Sequence, residues 1–132
     1  MKGEITISSQ QNQQLIDITN QIKNFVLKAK TKEGILVVFA PHTTASLLIT
    51  EDEEGLKNDW INFFANILPF DNFQHNKIDN NANSHILSGI MGNSLTFIIE
   101  NHQLVLGAWQ KIFLVELDGP RKRKVFVKIL EG

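Results

Sequence analysis

Three apolar runs crowd the last third of the chain, SLTFIIE (94–100), LVLGAWQKIFLVELD (104–118) and KVFVKIL (124–130), with only NHQ and GPRK turns between them. Linkers this short join strands that turn back on one another, and no wound parallel sheet is built that way. Read as one extended strand, the middle run puts Leu104, Leu106, Ala108, Gln110, Ile112, Leu114 and Glu116 on one face and Val105, Gly107, Trp109, Phe113, Val115 and Leu117 on the other. Both faces are largely apolar. The pattern therefore predicts cover on both sides, in part from another subunit.

Upstream, EITI (4–7) and QLIDI (14–18) read as short strands separated by the polar SSQQNQ stretch. Thr19 stands where it would cap a helix over about 20–30, with Ile22, Phe25, Val26 and Ala29 on its apolar face. Gly34 closes that element. ILVVFA (35–40) is a continuous β-branched run, the pattern of a strand buried on both faces, and ASLLIT (45–50) is a further strand. Leu56, Trp60, Phe63, Phe64 and Ile67 then recur at helical spacing behind Glu53 and Glu54, acids that suit the positive end of a helix dipole, and Pro69 stops this helix. Residues 70–83, FDNFQHNKIDNNAN, form a long asparagine-rich loop, of a length that in a small domain points to function. A short helix over about 82–90 ends at Gly92. Seven or so strands with two or three helices predict an α+β fold, a mostly antiparallel, β-sandwich-like single domain over residues 1–132.

Composition narrows the function classes. A chain of 132 residues has the length of one domain. At 42% hydrophobic and 20% charged it has the material for a packed core. Thirteen basic residues against fourteen acidic ones leave a net charge of −1, so no basic field recruits nucleic acid. Without cysteine there is neither a disulfide framework nor thiolate chemistry. No stretch approaches the ~20 apolar residues that span a bilayer, and MKGEITISSQ lacks a signal-peptide core. The expectation is a cytoplasmic protein with no membrane or nucleic-acid partner.

The chemistry-bearing residues cluster in a few places. PHTTASLLITEDEEG (41–55) runs from His42 through Thr43, Thr44 and Ser46 to Glu51 and three further acids. Hydroxyls of this kind bind anions, and Glu51 is set apart from Asp52, Glu53 and Glu54, which read as a helix-starting turn. The four histidines, His42, His75, His85 and His102, show no close HxH or HxxxH pair. Convergence of the first three would nevertheless leave an open position on zinc. In DGPRKRK (118–124), Arg121 and Arg123 point to one side of an extended segment and suit bidentate recognition of phosphate or carboxylate, while Lys122 and Lys124 read as a solvated turn. Trp109 is most simply a core aromatic. Gln110 beside it is an amide that, if buried, needs partners.

HTTAS…ITEDEEG (42–55), NSH (83–85) and LGAWQKIFLVELDGPRKRKV (106–125) together resemble the YjbQ family, small proteins long classed as uncharacterised and also named secondary thiamine-phosphate synthases. The resemblance spans nearly the whole chain in order. It implies a homotrimer with a polar pocket near the subunit contacts. It also implies a metal-binding role for His42, His75 and His85, and a characteristic polar set of Glu51, Trp109, Gln110, Glu116, Asp118, Arg121 and Arg123. Two positions depart from the family pattern: His102 stands where glycine is usual, and Ala108 where threonine is usual.

The activity so implied couples a pyrimidine pyrophosphate to a thiazole phosphate and releases pyrophosphate. Arg121, Arg123 and a divalent metal, zinc being favoured, would stabilise the leaving group, with Glu51 or a histidine moving protons and no organic cofactor taking part. The alternative is a non-catalytic trimer that binds a small phosphorylated or anionic ligand with the same residues.

Overall fold

The computed structural model describes residues 1–132. Its strands are β1 (Lys2–Ser8), β2 (Gln14–Asp17), β3 (Gly34–Phe39), β4 (Ala45–Thr50), β5 (Ser94–Glu100), β6 (Gln103–Leu104), β7 (Lys111–Glu116) and β8 (Lys122–Glu131). The helices are α1 (Thr19–Ala29), α2 (Glu54–Asn66) and α3 (Ala82–Met91), with a 3-10 turn at Gln74–Lys77. All pairings are antiparallel, in a five-stranded sheet of order β1-β8-β3-β5-β6 and a three-stranded sheet of order β2-β7-β4. This is the α+β, sandwich-like fold that the sequence predicts.

The main core lies between the sheets. Leu36 and Val38 of β3, Val125, Val127 and Ile129 of β8, and Ile112 and Leu114 of β7 meet there, and α1 adds Ile22 and Val26. On the far face of the three-stranded sheet, Val115 and Leu117 pack against Phe64 of α2 and Leu87 of α3. β7 is thus buried on both faces, and its cover comes from its own chain's helices.

The long strand expected over 104–118 is broken. Pairing stops after Leu104 and resumes at Lys111, and the intervening loop turns tightly enough for Gln110 Oε1 to accept from the Gly107 N–H at 2.8 Å. Gly107, with no side chain to pack on a pleat, sits in that break. The alternation over 104–110 consequently fails, and Trp109, expected in the core, is 74% exposed.

The run 35–40 differs in the opposite sense. β3 buries Leu36 and Val38, but Ile35 and Phe39 on its other face are exposed, beside Ile98 of β5 and Phe126 and Leu130 of β8. Register makes these a patch: Phe39 faces Phe126, and Ile35 faces both Leu130 and Ile98.

Local caps were partly legible. Glu53 caps α2, its carboxylate accepting from the Leu56 N–H at 3.0 Å and from the Gly55 N–H. Thr19 is no cap: its buried Oγ1 accepts from the Ile112 N–H at 2.8 Å, and Asp17 Oδ1 accepts from the Thr19 N–H instead. The left-handed residue ending α1 is Lys30, not Gly34, which opens β3. His102 and its neighbour Asn101 form the turn between β5 and β6 with φ of 67° and 51°. A tight hairpin favours glycine under just those angles, so His102 and Asn101 hold a conformation that L side chains rarely adopt.

Candidate functional site

β4 and β7 run antiparallel, with Ala45 opposite Glu116 and Thr50 opposite Lys111. That register sorts the candidate residues to two ends of the three-stranded sheet. His42, Thr43 and Thr44 precede β4 at the end where Glu116, Asp118 and Arg121 leave β7. Glu51, exposed, and Trp109 and Gln110 lie at the other end, about 15–20 Å away for a six-residue strand rising ~3.3 Å per residue. Ser46 is buried within β4 and its hydroxyl meets Met91 Sδ at 3.5 Å, away from either end.

At the first end, a cavity of about 480 Å³ is lined by His42, Thr43, Thr44, Asn93, Arg121 and Arg123 among others. A larger hollow of about 570 Å³ lies under the asparagine-rich loop, but Asp71 is the charged side chain lining it, so the cationic chemistry belongs to the smaller cavity.

Arg123 points inward from β8 toward Glu116, which points inward from β7 on the core face. Its Nε donates to Glu116 Oε1 at 2.9 Å and its Nη2 to Oε2 at 2.5 Å, while Nη2 also reaches Thr44 Oγ1 at 2.9 Å and Thr44 O at 3.1 Å. Glu116 further accepts from Ser9 Oγ at 2.7 Å and from the Asp118 N–H at 3.1 Å. Burial acts to raise the Glu116 carboxyl, but Arg123, Ser9 and the Asp118 N–H outweigh it and hold the group below the usual carboxylate range. Nη1 of Arg123 makes no hydrogen bond within the chain, and Arg123 is one of the residues that line the cavity. Arg121 is half-exposed, its Nε donating to Asp118 O at 2.7 Å and its Nη2 to Asp118 Oδ2 at 2.8 Å.

His42 closes the cavity where the β3–β8 ladder ends. Its Nε2 lies 2.9 Å from Lys124 O and 3.0 Å from Lys124 N, so it either donates to the carbonyl or accepts from the amide. Burial, aided by the Arg123 charge, lowers its pKa and favours the neutral ring. Asn93 donates from Nδ2 to His42 O and to Ala45 O, both at 2.9 Å, and fixes the bend between β3 and β4.

His75 and His85 form a separate pair, with ring centroids 4.7 Å apart at 69°. The three-histidine convergence is not formed within one chain: no group of three metal-ligating side chains stands together, and Nε2 of His42 is taken up by Lys124. The pair is tied to the cavity by Asn81, whose Oδ1 lies 2.8 Å from His75 Nε2 and whose Nδ2 donates to Asp118 Oδ2 at 2.8 Å. Neither Asn81 nor Asn93 was singled out from sequence. Among so many asparagines, no spacing distinguishes the two that are wired into the site.

A sequence profile of the family described as UPF0047 protein YjbQ-like matches residues 3–132. The chain belongs to this family. It is 38% identical over 128 residues to a UPF0047 protein of Archaeoglobus fulgidus, covering 96% of this chain and 99% of the relative. A UPF0047 protein of Methanocaldococcus jannaschii is 40% identical over 126 residues, covering 94% and 90%. The fold is similar to that of a crystal structure from Sulfolobus solfataricus, described as a YbjQ-like protein of unknown function, with a TM-score of 0.96, 37% identity and coverage of 100% and 97%. No helix of this UPF0047 member is long and apolar enough to cross a membrane.

Proposed function

We propose that this YjbQ-like protein binds a phosphorylated small molecule in the His42–Arg121–Arg123 cavity and carries out the transfer chemistry that the family resemblance implies, joining a pyrimidine pyrophosphate to a thiazole phosphate with release of pyrophosphate. One observation carries the reading: a buried arginine, paired along one edge with Glu116 and with its Nη1 left without a partner in the chain, lines the same cavity as Arg121 and His42. Guanidinium groups held in this way stabilise a phosphoryl or pyrophosphoryl anion without reorganising as charge develops. Thr43 and Thr44 border the same space, and Glu116 and Asp118 act by holding the two arginines. His75 and His85 together suit a divalent cation, zinc first among them since imidazole is the available donor; no step is assigned to it.

The remaining polar residues, Glu51, Trp109 and Gln110, belong to the reading only if a second copy brings them to this cavity. Support comes from the exposed apolar face of the five-stranded sheet, which continues to Phe39 at the cavity rim. A face of this kind on a monomer marks a contact surface. The homotrimer follows as part of the proposal, its number taken from the family resemblance.

The test is calorimetric titration of the protein with pyrophosphate, with thiamine phosphate measured in parallel after addition of both substrates. Binding that weakens more than tenfold in Arg121→Ala supports the anion site, and product formation supports the transfer. Absence of pyrophosphate binding at millimolar concentration would remove the proposal, and binding without product would reduce it to the non-catalytic alternative.

A further inference from the structure

Asn81 occupies the N-cap of α3, where an asparagine side chain ordinarily accepts a hydrogen bond from the first free N–H groups of the helix. It makes no such bond. The Ala82 N–H is capped from outside, by Asn76 Oδ1 at 3.0 Å. Asn81 is nevertheless 5% exposed, with both ends of its amide engaged, Oδ1 toward His75 Nε2 and Nδ2 toward Asp118 Oδ2. A residue that forgoes its local role while a neighbour takes it over is held for something else.

We infer that Asn81 is a positioning residue, which fixes the tautomer of His75 and joins the His75–His85 pair to the arginine cavity as one site. The direction is set by Asp118. Its carboxylate, ion-paired to Arg121 at 2.8 Å, accepts hydrogen bonds and donates none. The Asn81 group facing it must therefore be the NH₂, so the group facing His75 must be the carbonyl. A carbonyl takes a hydrogen bond only from a protonated nitrogen, which places the proton of neutral His75 on Nε2 and leaves the lone pair on Nδ1. The chain Arg121–Asp118–Asn81–His75 thus makes Nδ1 the acceptor or ligand atom of His75, whatever ligand the site takes. His42 contrasts with it, since Nε2 there faces both a donor and an acceptor on Lys124 and neither tautomer is imposed. Hydrogen-bonded partners of this type commonly set which nitrogen of an imidazole is presented.

The inference deepens the anion-site reading by adding the histidine pair to it, yet its readout needs no ligand. A cavity that bound no pyrophosphate would leave it standing. The experiment is two-dimensional ¹⁵N–¹H NMR of the ring nitrogens of His75 in the metal-free protein, above the imidazole titration range, for the parent, Asn81→Ala and Asp118→Ala. In the parent, Nε2 should give a protonated-type shift and Nδ1 an unprotonated-type shift, far apart. In Asn81→Ala and Asp118→Ala the two shifts should draw together as the tautomers mix, although Asp118 does not touch His75. Averaged shifts in the parent, or a protonated-type Nδ1, would overturn the inference without any variant having to fold. Shifts unmoved in a folded Asp118→Ala would overturn the link to the arginine cavity.

Discussion

Replacing Arg123 by methionine, Arg123→Met, removes one partner of a buried ion pair while keeping most of the side-chain stem. The other partner, Glu116, is fully buried and keeps only Ser9 Oγ and the Asp118 N–H. Leaving such a charge uncompensated costs about 3–5 kcal/mol. Set against the ~5–15 kcal/mol that holds a domain folded, this corresponds to a fall in Tm of about 10–20 °C for a chain of this size. The pH dependence is more diagnostic than the magnitude. In the parent, the Glu116 carboxyl lies below its unfolded value, so its contribution is fully present above about 4.3 and is lost as pH falls through the depressed folded value. Without Arg123, burial dominates and the folded value rises above the unfolded one. Protonating Glu116 then favours the folded state of the variant, and the gap between parent and variant should narrow as pH falls from 7 toward 4. Thermal unfolding followed by circular dichroism across that range measures both effects. A variant that loses less than about 1 kcal/mol, or a gap that is flat with pH, would refute the claim that an isolated Glu116 charge is intolerable in this core.

Other expectations follow from the same structure. His42, whose burial lowers its pKa, must gain a proton on unfolding below about 6.5, so stability should rise with pH through the window just below that value; the slope should be smaller in His42→Gln, read as Tm between pH 5 and 7.5. Thr19→Val removes the buried acceptor of the Ile112 N–H and should cost about 1–3 kcal/mol in urea unfolding. If a cation sits on the histidine pair, tag-free protein should lose its metal in His75→Ala and His85→Ala and keep it in His42→Ala and His102→Ala by elemental analysis; equal content in all four would dismiss the pair. Phe39→Lys, at the edge of the uncovered sheet face, should shift sedimentation from an assembly toward the 15.0 kDa chain, and a parent already sedimenting as that chain would remove the homotrimer.

Periodicity and punctuation determined much of this protein in the sequence itself. The spacing of Leu56, Trp60 and Phe64, the acids before them and Pro69 after them bound α2, because helix repeat, capping and termination act over a few residues. Gly92, with φ of 91°, ends α3 for the same local reason. Arg121 and Arg123 were legible as a pair because alternation carries two side chains two residues apart to one side of an extended segment.

Which face of a strand is covered was not local. β3 and β7 carry equally apolar runs, yet only β7 has α2 and α3 on its second face, and nothing within ILVVFA reveals that its own second face stays open. The break at Gly107 likewise depended on where the ladder to β4 begins, at Lys111 opposite Thr50. The site was decided by register. The extended β4 keeps His42 and Glu51 at opposite ends, antiparallel pairing with β7 brings Glu116 to the His42 end, and the β3–β8 pairing brings Lys124, 82 positions along the chain, to the His42 ring. Asn81 illustrates the limit most sharply. Its residue type and its place before a helix both indicate a cap, and only the three-dimensional neighbourhood of Asp118 and His75, with Asn76 taking over the capping, turns the amide into the joint between two halves of a site. Hydrogen-bond partners that lie far apart in sequence leave no periodic trace in it, because each obeys only the geometry of the folded chain.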